Sequence, residues 1–337
     1  MLWQYQMLFD MIKNMNKNRQ KNAVLKAALN MIGTPYVYGA YTKNKSKGKP
    51  SGVDCSSLIK YVYGCAGIDL PRSSILQASR GTEIKNKKDA EAGDLIFFET
   101  TKGHYWHLLF DNKKIYIGHV SLYIGNGYII DASEDRNAGK VAKMKLIELT
   151  KKPGYEVMLI KRIIGIKELD FNLTPYSQIL DVKLTDWKNR ACGITSLKMV
   201  LDFLSKETKN KYPAIDDLIL KYSKTKYIND IGWSHKGLAD IAIDLGLKGI
   251  NYDLINYTQN DALALLTTKL ITTPVIASIY KNLNPKNSGH LVVVTRIENN
   301  KATYYDPDSK TRNEVKRTVS LKKFLSGWKK RMIVVWP

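Results

Sequence analysis

The stretch GVDCSSLIKYVYGCAG, residues 52–67, places a cysteine directly in front of an apolar helical run. Leu58, Ile59 and Val62 follow Cys55 at helical spacing, which predicts a helix that begins at the cysteine. A helix N-terminus lowers the pKa of a thiol placed there, and the thiolate is the nucleophilic form of cysteine. Cys55 is therefore a candidate nucleophile. The alternative is a buried structural thiol, since free cysteine is among the most buried residue types.

A second stretch, RACGITSLKMVLDFL at residues 190–204, repeats this arrangement around Cys192. Gly193 has no side chain and leaves room for a substrate carbonyl or a backbone segment to come close. The third cysteine, Cys65, lies on the predicted Cys55 helix, and we expect it to be a small buried hydrophobic residue. Three cysteines without a C-x-x-C pair exclude a disulfide framework, a zinc ribbon and a thioredoxin-type site.

Composition and charge limit the class of protein. The chain of 337 residues suffices for two domains, and its 44% hydrophobic and 25% charged residues are typical of a soluble globular protein. The net charge of +22 attracts polyanions. Arginine interleaved with aromatic residues is missing, so we expect no sequence-specific nucleic-acid binding; the alternatives are an anionic polymer and a merely solvated basic surface. No apolar stretch predicts a transmembrane segment, and the first residues show no signal-peptide pattern.

The order of the predicted elements indicates an α+β fold in each of two domains. We predict a lead-in at residues 1–22, a first domain at 23–165, a linker at 166–177 and a second domain at 178–337. In each domain a Cys-led helix comes first, and short β-rich runs separated by turn residues follow. The two halves share no alignable repeat.

His119 and Asp131 complete a candidate catalytic triad with Cys55. A cysteine nucleophile needs an imidazole within hydrogen-bond reach, and a third group that orients the imidazole. His119 begins an alternating strand, and Asp131 follows it after an Asn-Gly turn at residues 126–127, which favours a hairpin. A reversal there brings the two side chains near one another on adjacent strands.

His290 and Asp306 form the corresponding pair for Cys192. His290 opens an apolar strand, and Asp306 lies at the end of the following strand. An amide group upstream of the nucleophile would stabilise the oxyanion, an effect worth about 3 kcal/mol. Gln178 is the candidate for this role, and Asn189 is the alternative.

The other three histidines receive no catalytic role. His104 and His107 form an H-x-x-H pair, but no cysteine or carboxylate cluster completes a metal site around them. We therefore expect a cleft-wall loop there and no metal. His235 lies beside a helix start, where we expect a structural contact.

The motifs GTPYVYGA, GVDCSSLIKYVY, LPRSS, GDLIFF and GHVSLYIGNGYIIDAS, in that order, resemble the NlpC family of cell-wall cysteine peptidases over about residues 24–150. The resemblance implies a papain-like fold and cleavage of the stem peptides of peptidoglycan, commonly after γ-linked D-glutamate. The family's third site residue is most often His, whereas this chain has Asp131. The resemblance also implies that Tyr36, Asp54 and Ser56 help to form the site, with Asp54 placed to pair with a free ammonium group of a stem peptide. The loop before Cys55 and the segment 99–117 are longer than is usual in the family.

The stretches YSQ, RACGITSLKMVLDFL, GHLVVVTRI and YYDPDS resemble the papain-like family related to bacteriocin-leader peptidases over about residues 174–337. The resemblance implies a Cys–His–Asp site with an upstream glutamine that shapes the oxyanion hole. In the transporter-linked members this glutamine lies nearer the cysteine than Gln178 does here.

Both resemblances together imply a peptidoglycan hydrolase with two tandem papain-like domains that cleaves stem or cross-bridge peptides through a thioester. Neither site needs a metal or an organic cofactor. The expected partners are wall peptides and, by charge, anionic wall polymers, with action outside the cell or at the wall after release by lysis or secretion, as for a phage-encoded endolysin. Two alternatives stay open. The second domain is a binding or assembly module of a phage tail or secretion system, or the chain is a cysteine acyltransferase or protein-directed protease.

Overall fold

The chain opens with one long helix, α1, at Leu2–Met31, which ends just before Gly33, a residue with a φ of +83°. The predicted lead-in at residues 1–22 and the beginning of the predicted first domain therefore belong to a single helix. The next helix, α2, spans Cys55–Gly64. A short third helix, α3, follows at Ser74–Ala78.

The computed structural model describes residues 2–40, 48–100, 103–104, 106–110, 114–165, 171–229, 232–298 and 300–337. The chain divides into two compact units, Met1–Lys167 and Glu168–Pro337. Parts of the loop before Cys55, of the segment 99–117 and of the predicted linker lie outside the described residues.

The first unit contains a six-stranded antiparallel sheet. Its strands lie in the order β1-β6-β2-β3-β4-β5. They are β1 at Thr82–Glu83, β2 at Leu95–Phe98, β3 at His119–Gly125, β4 at Tyr128–Asp131, β5 at Ala142–Lys145 and β6 at Val157–Arg162, with the short helix α4 at Leu146–Thr150 between β5 and β6.

The apolar face of α2 packs against β3. Leu58, Ile59 and Val62 on this face are at most 2% exposed, and all four residues of β2 are buried. Strands β3 and β4 are joined by the turn Asn126–Gly127, in which both residues have a positive φ, as a type I′ hairpin requires. The predicted hairpin is confirmed, and it brings the start of β3 close to the end of β4.

The second unit has more helices around a sheet of the same size. Its helices are α5 at Cys192–Thr208, α6 at Ile215–Lys226, α7 at His235–Asp244, α8 at Gln259–Lys269 and α9 at Leu321–Gly327. Strands β7 (Tyr227–Ile228) and β8 (Gly232–Trp233) form a small ribbon. The main strands are β9 at Lys248–Asp253, β10 at Val275–Tyr280, β11 at Gly289–Glu298, β12 at Lys301–Tyr305, β13 at Lys316–Ser320 and β14 at Trp328–Trp336.

The two main sheets have the same topology. The second sheet runs β9-β14-β10-β11-β12-β13, all antiparallel, so its first, last and second strands lie side by side as they do in the first unit. In each unit a cysteine-led helix packs on the third strand of its sheet, α2 on β3 and α5 on β11. A short helix precedes the last strand in both, α4 before β6 and α9 before β14. Both units are thus mixed α/β domains rich in sheet, and they share one topology although their sequences share no alignable repeat.

Within the described part of the chain, no helix combines the length and the apolar character that a bilayer crossing requires.

Candidate active site

Cys55 is the first residue of α2, and its position is fixed by the capping box in front of it. The Asp54 carboxylate accepts the N–H of Ser57 at 2.8 Å, and the Ser57 hydroxyl accepts the N–H of Asp54 at 2.8 Å. Because both bonds are buried, the helix start and the thiol on it are held in one place.

The β3–β4 hairpin brings His119 and Asp131 together. Leu122 pairs with Ile130, so continuing the register places Asp131 beside Ser121, with His119 on the diagonal two residues earlier. His119 Nε2 lies 2.5 Å from Asp131 Oδ1, and the Ser121 hydroxyl donates to the same oxygen at 2.6 Å. A carboxylate only accepts, so Nε2 carries the proton and Nδ1 is left for the sulfur.

The imidazole of His119 is buried, lies beside two aromatic rings and forms a hydrogen bond with Cys55. Phe98 and Tyr155 lie with ring centroids 5.8 and 5.7 Å from it. Burial lowers the pKa of His119, but Asp131 and a hydrogen bond with Cys55 raise it by more, to well above its ordinary value. The structure thus brings the three predicted residues together, with the His119 imidazole between the Cys55 thiol and the Asp131 carboxylate.

Cys55 and His119 line a cleft of about 510 Å³. The predicted residues Tyr36, Asp54 and Ser56 line the same cleft. Burial, together with the nearby Cys55 and Asp54, raises the pKa of Tyr36 far above its ordinary value, so the phenol stays protonated and can donate a hydrogen bond.

Asp54 already has a cationic partner. The Arg72 guanidinium binds both of its carboxylate oxygens, and also donates to the Ser56 hydroxyl at 2.8 Å. The N–H of Gly39 donates to Asp54 as well, at 3.1 Å. The charge that we expected to meet a substrate ammonium group is therefore balanced within the protein.

Cys192 begins α5 without a side-chain cap, because Ala191 occupies the N-cap position. A Cβ built on Gly193 would lie 2.7 Å from the Cβ of Trp233, so the helix start is packed tightly against protein and the expected space for a substrate at Gly193 is absent. Burial raises the pKa of the Cys192 thiol, but a hydrogen bond with His290 and the N–H groups of Leu291 and Gly193 lower it by more.

His290 and Asp306 repeat the geometry of the first unit. Val293 pairs with Tyr305, so Asp306 falls opposite residue 292, and His290 again lies on the diagonal two residues earlier. His290 Nε2 is 2.7 Å from Asp306 Oδ1. Burial lowers the pKa of His290, but Asp306 and Cys192 raise it to about 10. The second predicted triad is also a hydrogen-bonded set.

The predicted oxyanion donor, Gln178, is 2% exposed and is fixed to the segment that carries Asp306. Its backbone N–H donates to the carbonyl of Pro307 at 2.8 Å, and its Nε2 donates to Asp308 at 3.0 Å. One of the two amide N–H groups is therefore in use. The alternative, Asn189, is exposed.

The remaining cysteine and the other three histidines lie as follows. Cys65 is exposed, so the expectation of a buried thiol is wrong; α2 ends at Gly64, and Cys65 caps it outside the apolar face. His104 lines the Cys55 cleft, whereas the side chain of His107 lies outside the described residues. His235 is the first residue of α7. Among the residues that the structure describes, no cluster of three or more potential metal ligands occurs.

Three arginines next to the two sites have no assigned role in the sequence analysis. Arg72 binds Asp54, Arg136 binds Asp131 at 3.0 Å, and Arg317 binds Asp306 at 3.1 Å. Arg72 lies in the motif LPRSS, which marks its position although not its role. Arg136 and Arg317 have no such motif, and without the fold nothing distinguishes them from the other arginines of the chain.

Comparison with known families gives one match for each unit. Residues 33–152 match the NlpC/P60 family, and residues 179–332 match the Peptidase_C39 like family. Both resemblances inferred from the motifs are confirmed. The chain carries an NlpC/P60 domain followed by a Peptidase_C39-like domain.

Several curated proteins and solved structures are similar to part of this chain. The bifunctional muramidase/DL-endopeptidase CwlT of Bacillus subtilis is 34% identical over 111 residues, which cover 33% of this chain and 29% of that protein. The peptidoglycan endopeptidase RipB of Mycobacterium tuberculosis is 32% identical over 136 residues, 39% of this chain and 49% of that protein. The crystal structure of the P60 domain of a Mycobacterium avium subspecies paratuberculosis antigen is 30% identical and covers 44% of this chain and 97% of that chain, with a TM-score of 0.34. The chain therefore spans half or less of the length of these two curated relatives.

Proposed function

We propose that the chain is a cysteine endopeptidase that hydrolyses amide bonds in the peptides of peptidoglycan, with one Cys–His–Asp site in each of two papain-like units. The observation that carries the proposal is the cleft of the first unit. There a helix-start cysteine and the imidazole next to it line a space of about 510 Å³, and a buried carboxylate forms a hydrogen bond with the imidazole from behind. The peptidoglycan endopeptidases among the similar proteins supply the substrate class.

In the first unit the reaction proceeds through a thioester. The Cys55 thiolate attacks the amide carbonyl, a C–S bond forms, and the oxyanion faces N–H groups that the first turn of α2 leaves without helical partners. The His119 imidazolium gives its Nδ1 proton to the leaving amine as the C–N bond breaks. A water molecule, deprotonated by the same imidazole, then attacks the thioester; the C–S bond breaks, the product leaves as a carboxylate with its proton lost to solvent, and the thiolate and imidazolium are restored.

We assign the same chemistry to Cys192, His290 and Asp306 in the second unit. The lowered pKa of Cys192 supports it, because a thiol that nothing activates would have its pKa raised by burial. Gln178 supplies the oxyanion donor with the amide N–H that Asp308 leaves free.

A second candidate function applies to this unit alone. The Gln178 amide is held by Asp308, and this observation favours a binding or assembly module in which the triad is retained without turnover. In that case the chain has one catalytic site and one recognition domain.

We place the action of the protein outside the cell, at the wall, where the proposed substrate lies. Its charge of +22 is suited to an envelope rich in anionic polymers. These polymers are proposed partners by charge alone.

Digestion of purified peptidoglycan by the wild type, Cys55→Ala, Cys192→Ala and the double variant tests the proposal, with products identified by mass spectrometry. Cys65→Ala is the matched control, because it removes an exposed cysteine outside both sites. We expect each active-site variant to lose a different set of peptide fragments and the control to lose none.

Two other results separate the alternatives. If Cys55→Ala abolishes all products while Cys192→Ala changes none, the second unit is a binding module. If the wild type releases no fragments, or joins peptides instead of cleaving them, the hydrolase proposal is wrong, and an acyltransferase or a protease of other substrates takes its place.

A further inference from the structure

Each catalytic aspartate has an arginine on the carboxylate oxygen that the histidine does not use. In the first unit Asp131 offers Oδ1 to His119 and Oδ2 to Arg136 Nη2, at 3.0 Å. In the second unit Asp306 offers Oδ1 to His290 and Oδ2 to Arg317 Nη1, at 3.1 Å. Two sequences that share no alignable repeat thus arrive at one arrangement of four side chains.

Arg136 is built into the interior of the first unit. Only 4% of its side chain is exposed, and Asp131 is fully buried. Its guanidinium lies 4.5 Å from the ring centroid of Tyr155, and this ring packs edge-on against His119. Arg136 therefore touches both groups that hold the imidazole, the carboxylate through a charged hydrogen bond and the aromatic ring through a cation–π contact.

Arg317 reaches Asp306 from a neighbouring strand, β13. Its Nε donates to the carbonyl of Glu314 at 3.0 Å and its Nη2 to the hydroxyl of Ser309 at 3.1 Å, which leaves Nη1 for the aspartate. About one third of this side chain is exposed. The guanidinium is thus aimed by two further bonds, although the two arginines come from different places in the fold.

A buried carboxylate needs a positive partner throughout the reaction cycle. The imidazolium is such a partner only while it is protonated, and His119 and His290 must give up that proton to the leaving amine. A carboxylate left without a cation in a buried site would take up a proton and could no longer accept the imidazole N–H. An arginine keeps its positive charge at all relevant pH values, so it remains a partner for the carboxylate while the histidine is neutral.

We propose that Arg136 and Arg317 are positioning residues that keep Asp131 and Asp306 ionised and oriented while the histidines cycle between charged and neutral forms. The inference rests on the proposed cysteine chemistry and adds a fourth member to each site. Neither arginine contacts the thiol in this scheme, and each acts through its aspartate.

The groups around Asp131 all enter the pH behaviour of the first site. His119 and Ser121 face Asp131 from β3, and Arg136 faces it from the loop after β4. Cys55 and Tyr155 contact His119 in turn. The mostly exposed Asp135 forms an ion pair with Arg136 at 3.3 Å. Among these groups Arg136 is the only one with a fixed positive charge. Its removal therefore raises the pH at which Asp131 takes up a proton.

Alkylation of Cys55 by iodoacetamide between pH 4 and pH 9 tests the proposal without any wall substrate. The full chain carries Cys65→Ser and Cys192→Ser, so that Cys55 is its sole thiol. In this background we compare the unaltered site, Arg136→Gln, Arg136→Lys, Asp131→Asn and the Asp131→Asn/Arg136→Gln double variant. The thermal midpoint of each variant is recorded in parallel, because a merely structural arginine affects stability alone.

We expect Arg136→Gln to move the acid limb of the alkylation profile up by about one pH unit, since an opposite charge within hydrogen-bond distance shifts a carboxyl pKa by about that much or more. Arg136→Lys keeps the charge and should remain close to the parent. In the Asp131→Asn background Arg136→Gln should have no further effect. A limb that stays in place while the thermal midpoint falls, or a shift that persists in the Asp131→Asn background, would overturn the proposal.

Arg317→Gln is the second test, with Cys192 as the sole thiol and Asp306→Asn as the matched background. Because Arg317 is partly exposed, this variant is expected to fold even where Arg136→Gln does not, and an unmoved acid limb would count against the proposal equally. The assay also separates the two hypotheses. If Cys55 reacts no faster than it does in the urea-unfolded chain, the proposed function fails, whereas a fast thiol with an unmoved limb in Arg136→Gln rejects only the role of the arginine.

Discussion

Asp54 lies next to the candidate nucleophile and forms an ion pair with Arg72, which lines the same cleft. The side chain of Asp54 is 8% exposed and that of Arg72 is 29% exposed. Removing one member of a buried ion pair leaves the other without compensation, and the partial exposure of Arg72 reduces that cost. The pair is a supporting element of the site, and it competes with any role of Asp54 in binding a substrate ammonium group.

We predict that Asp54→Asn lowers the free energy of unfolding by about 1–3 kcal/mol, because asparagine keeps the N-cap acceptor but loses the charge facing Arg72. Urea denaturation measures this change, with Glu134→Gln, an exposed carboxylate of the same cleft, as the control. We also expect the ratio of cleavage rates for stem peptides with free and acetylated amino termini to be the same in Asp54→Asn and in the wild type. If that ratio collapses in the variant, Asp54 binds the ammonium group after all.

The Cys192–His290 pair makes a prediction about stability and pH. The pKa of His290 is raised to about 10 in the fold, so its contribution to stability is complete below the ordinary histidine pKa and is lost as the pH rises toward 10. The pKa of Cys192 is lowered, so its contribution to stability has the opposite pH dependence: it grows as the pH rises through the folded pKa and is complete once the unfolded thiol also ionises. In the wild type these two pH dependences partly cancel above neutral pH.

Replacing the thiol by a hydroxyl removes the second contribution and the part of the rise in the His290 pKa that Cys192 supplies, while Asp306 still raises that pKa. We therefore expect Cys192→Ser to lose stability more steeply than the wild type between about pH 6.5 and about pH 8.5, below the pKa of the unfolded thiol. Denaturation by urea at pH 6.5 and pH 8.5 measures the slope, and Cys65→Ser, at an exposed site, should follow the wild type. Equal slopes for Cys192→Ser and the wild type would mean that the thiol and the imidazole are not coupled.

At the scale of elements, the two cysteine-led helices are started in different ways. The start of α2 is fixed by a capping box, whereas α5 has an alanine at its N-cap and depends on tight packing of Gly193 against Trp233, Leu238 and Leu291. These three side chains come from β8, α7 and β11, so the position of Cys192 depends on elements far apart in the sequence.

We predict that Gly193→Ala destabilises the second unit by about 1–3 kcal/mol, because its Cβ would overlap the Cβ of Trp233 and force α5 away from its neighbours. We also expect slower alkylation of Cys192, since the shift moves the thiol away from His290. Glu207→Ala, at an exposed position of the same helix, is the control for helix propensity and should change neither quantity. An unchanged unfolding curve for Gly193→Ala would show that the helix start has room to spare.

The sequence predicts the elements whose side chains repeat with one period. Apolar spacing identifies α2 and α5, and the Asn126–Gly127 turn sets the register that joins His119 to Asp131. The strands β9 and β13 escape this reasoning, because mostly exposed residues form them and their position depends on a neighbouring strand. Arg136 and Arg317 escape it for a similar reason, since a charged residue near a site in sequence is ordinarily a solvated one.

At the scale of the whole molecule, two sequences without an alignable repeat build the same six-strand order. In both sheets the histidine is the first or second residue of the third strand, and the aspartate lies at or just beyond the end of the fourth, on the same diagonal. The shared topology therefore explains why the same sequence pattern, a histidine and an aspartate that flank a hairpin, predicts both sites. The topology does not determine what surrounds each cysteine. The capping box and Arg72 occur in the first unit, whereas the tightly packed Gly193 occurs in the second.

The net charge of +22 belongs to the whole chain, and we predict that it governs adhesion to the wall. The Cys55→Ala/Cys192→Ala double variant allows binding to be measured on intact walls, without digestion. Because the screening length falls from about 10 Å at 0.1 M salt to about 3 Å at 1 M, we expect the bound fraction to fall several-fold across that range. We expect a similar loss when the anionic polymers are removed from the walls, and when the lysines of the protein are acetylated, which removes their charge. Binding that survives both treatments would instead indicate recognition of the peptides or the glycan by the clefts themselves, and the positive charge would then be only a solvated surface.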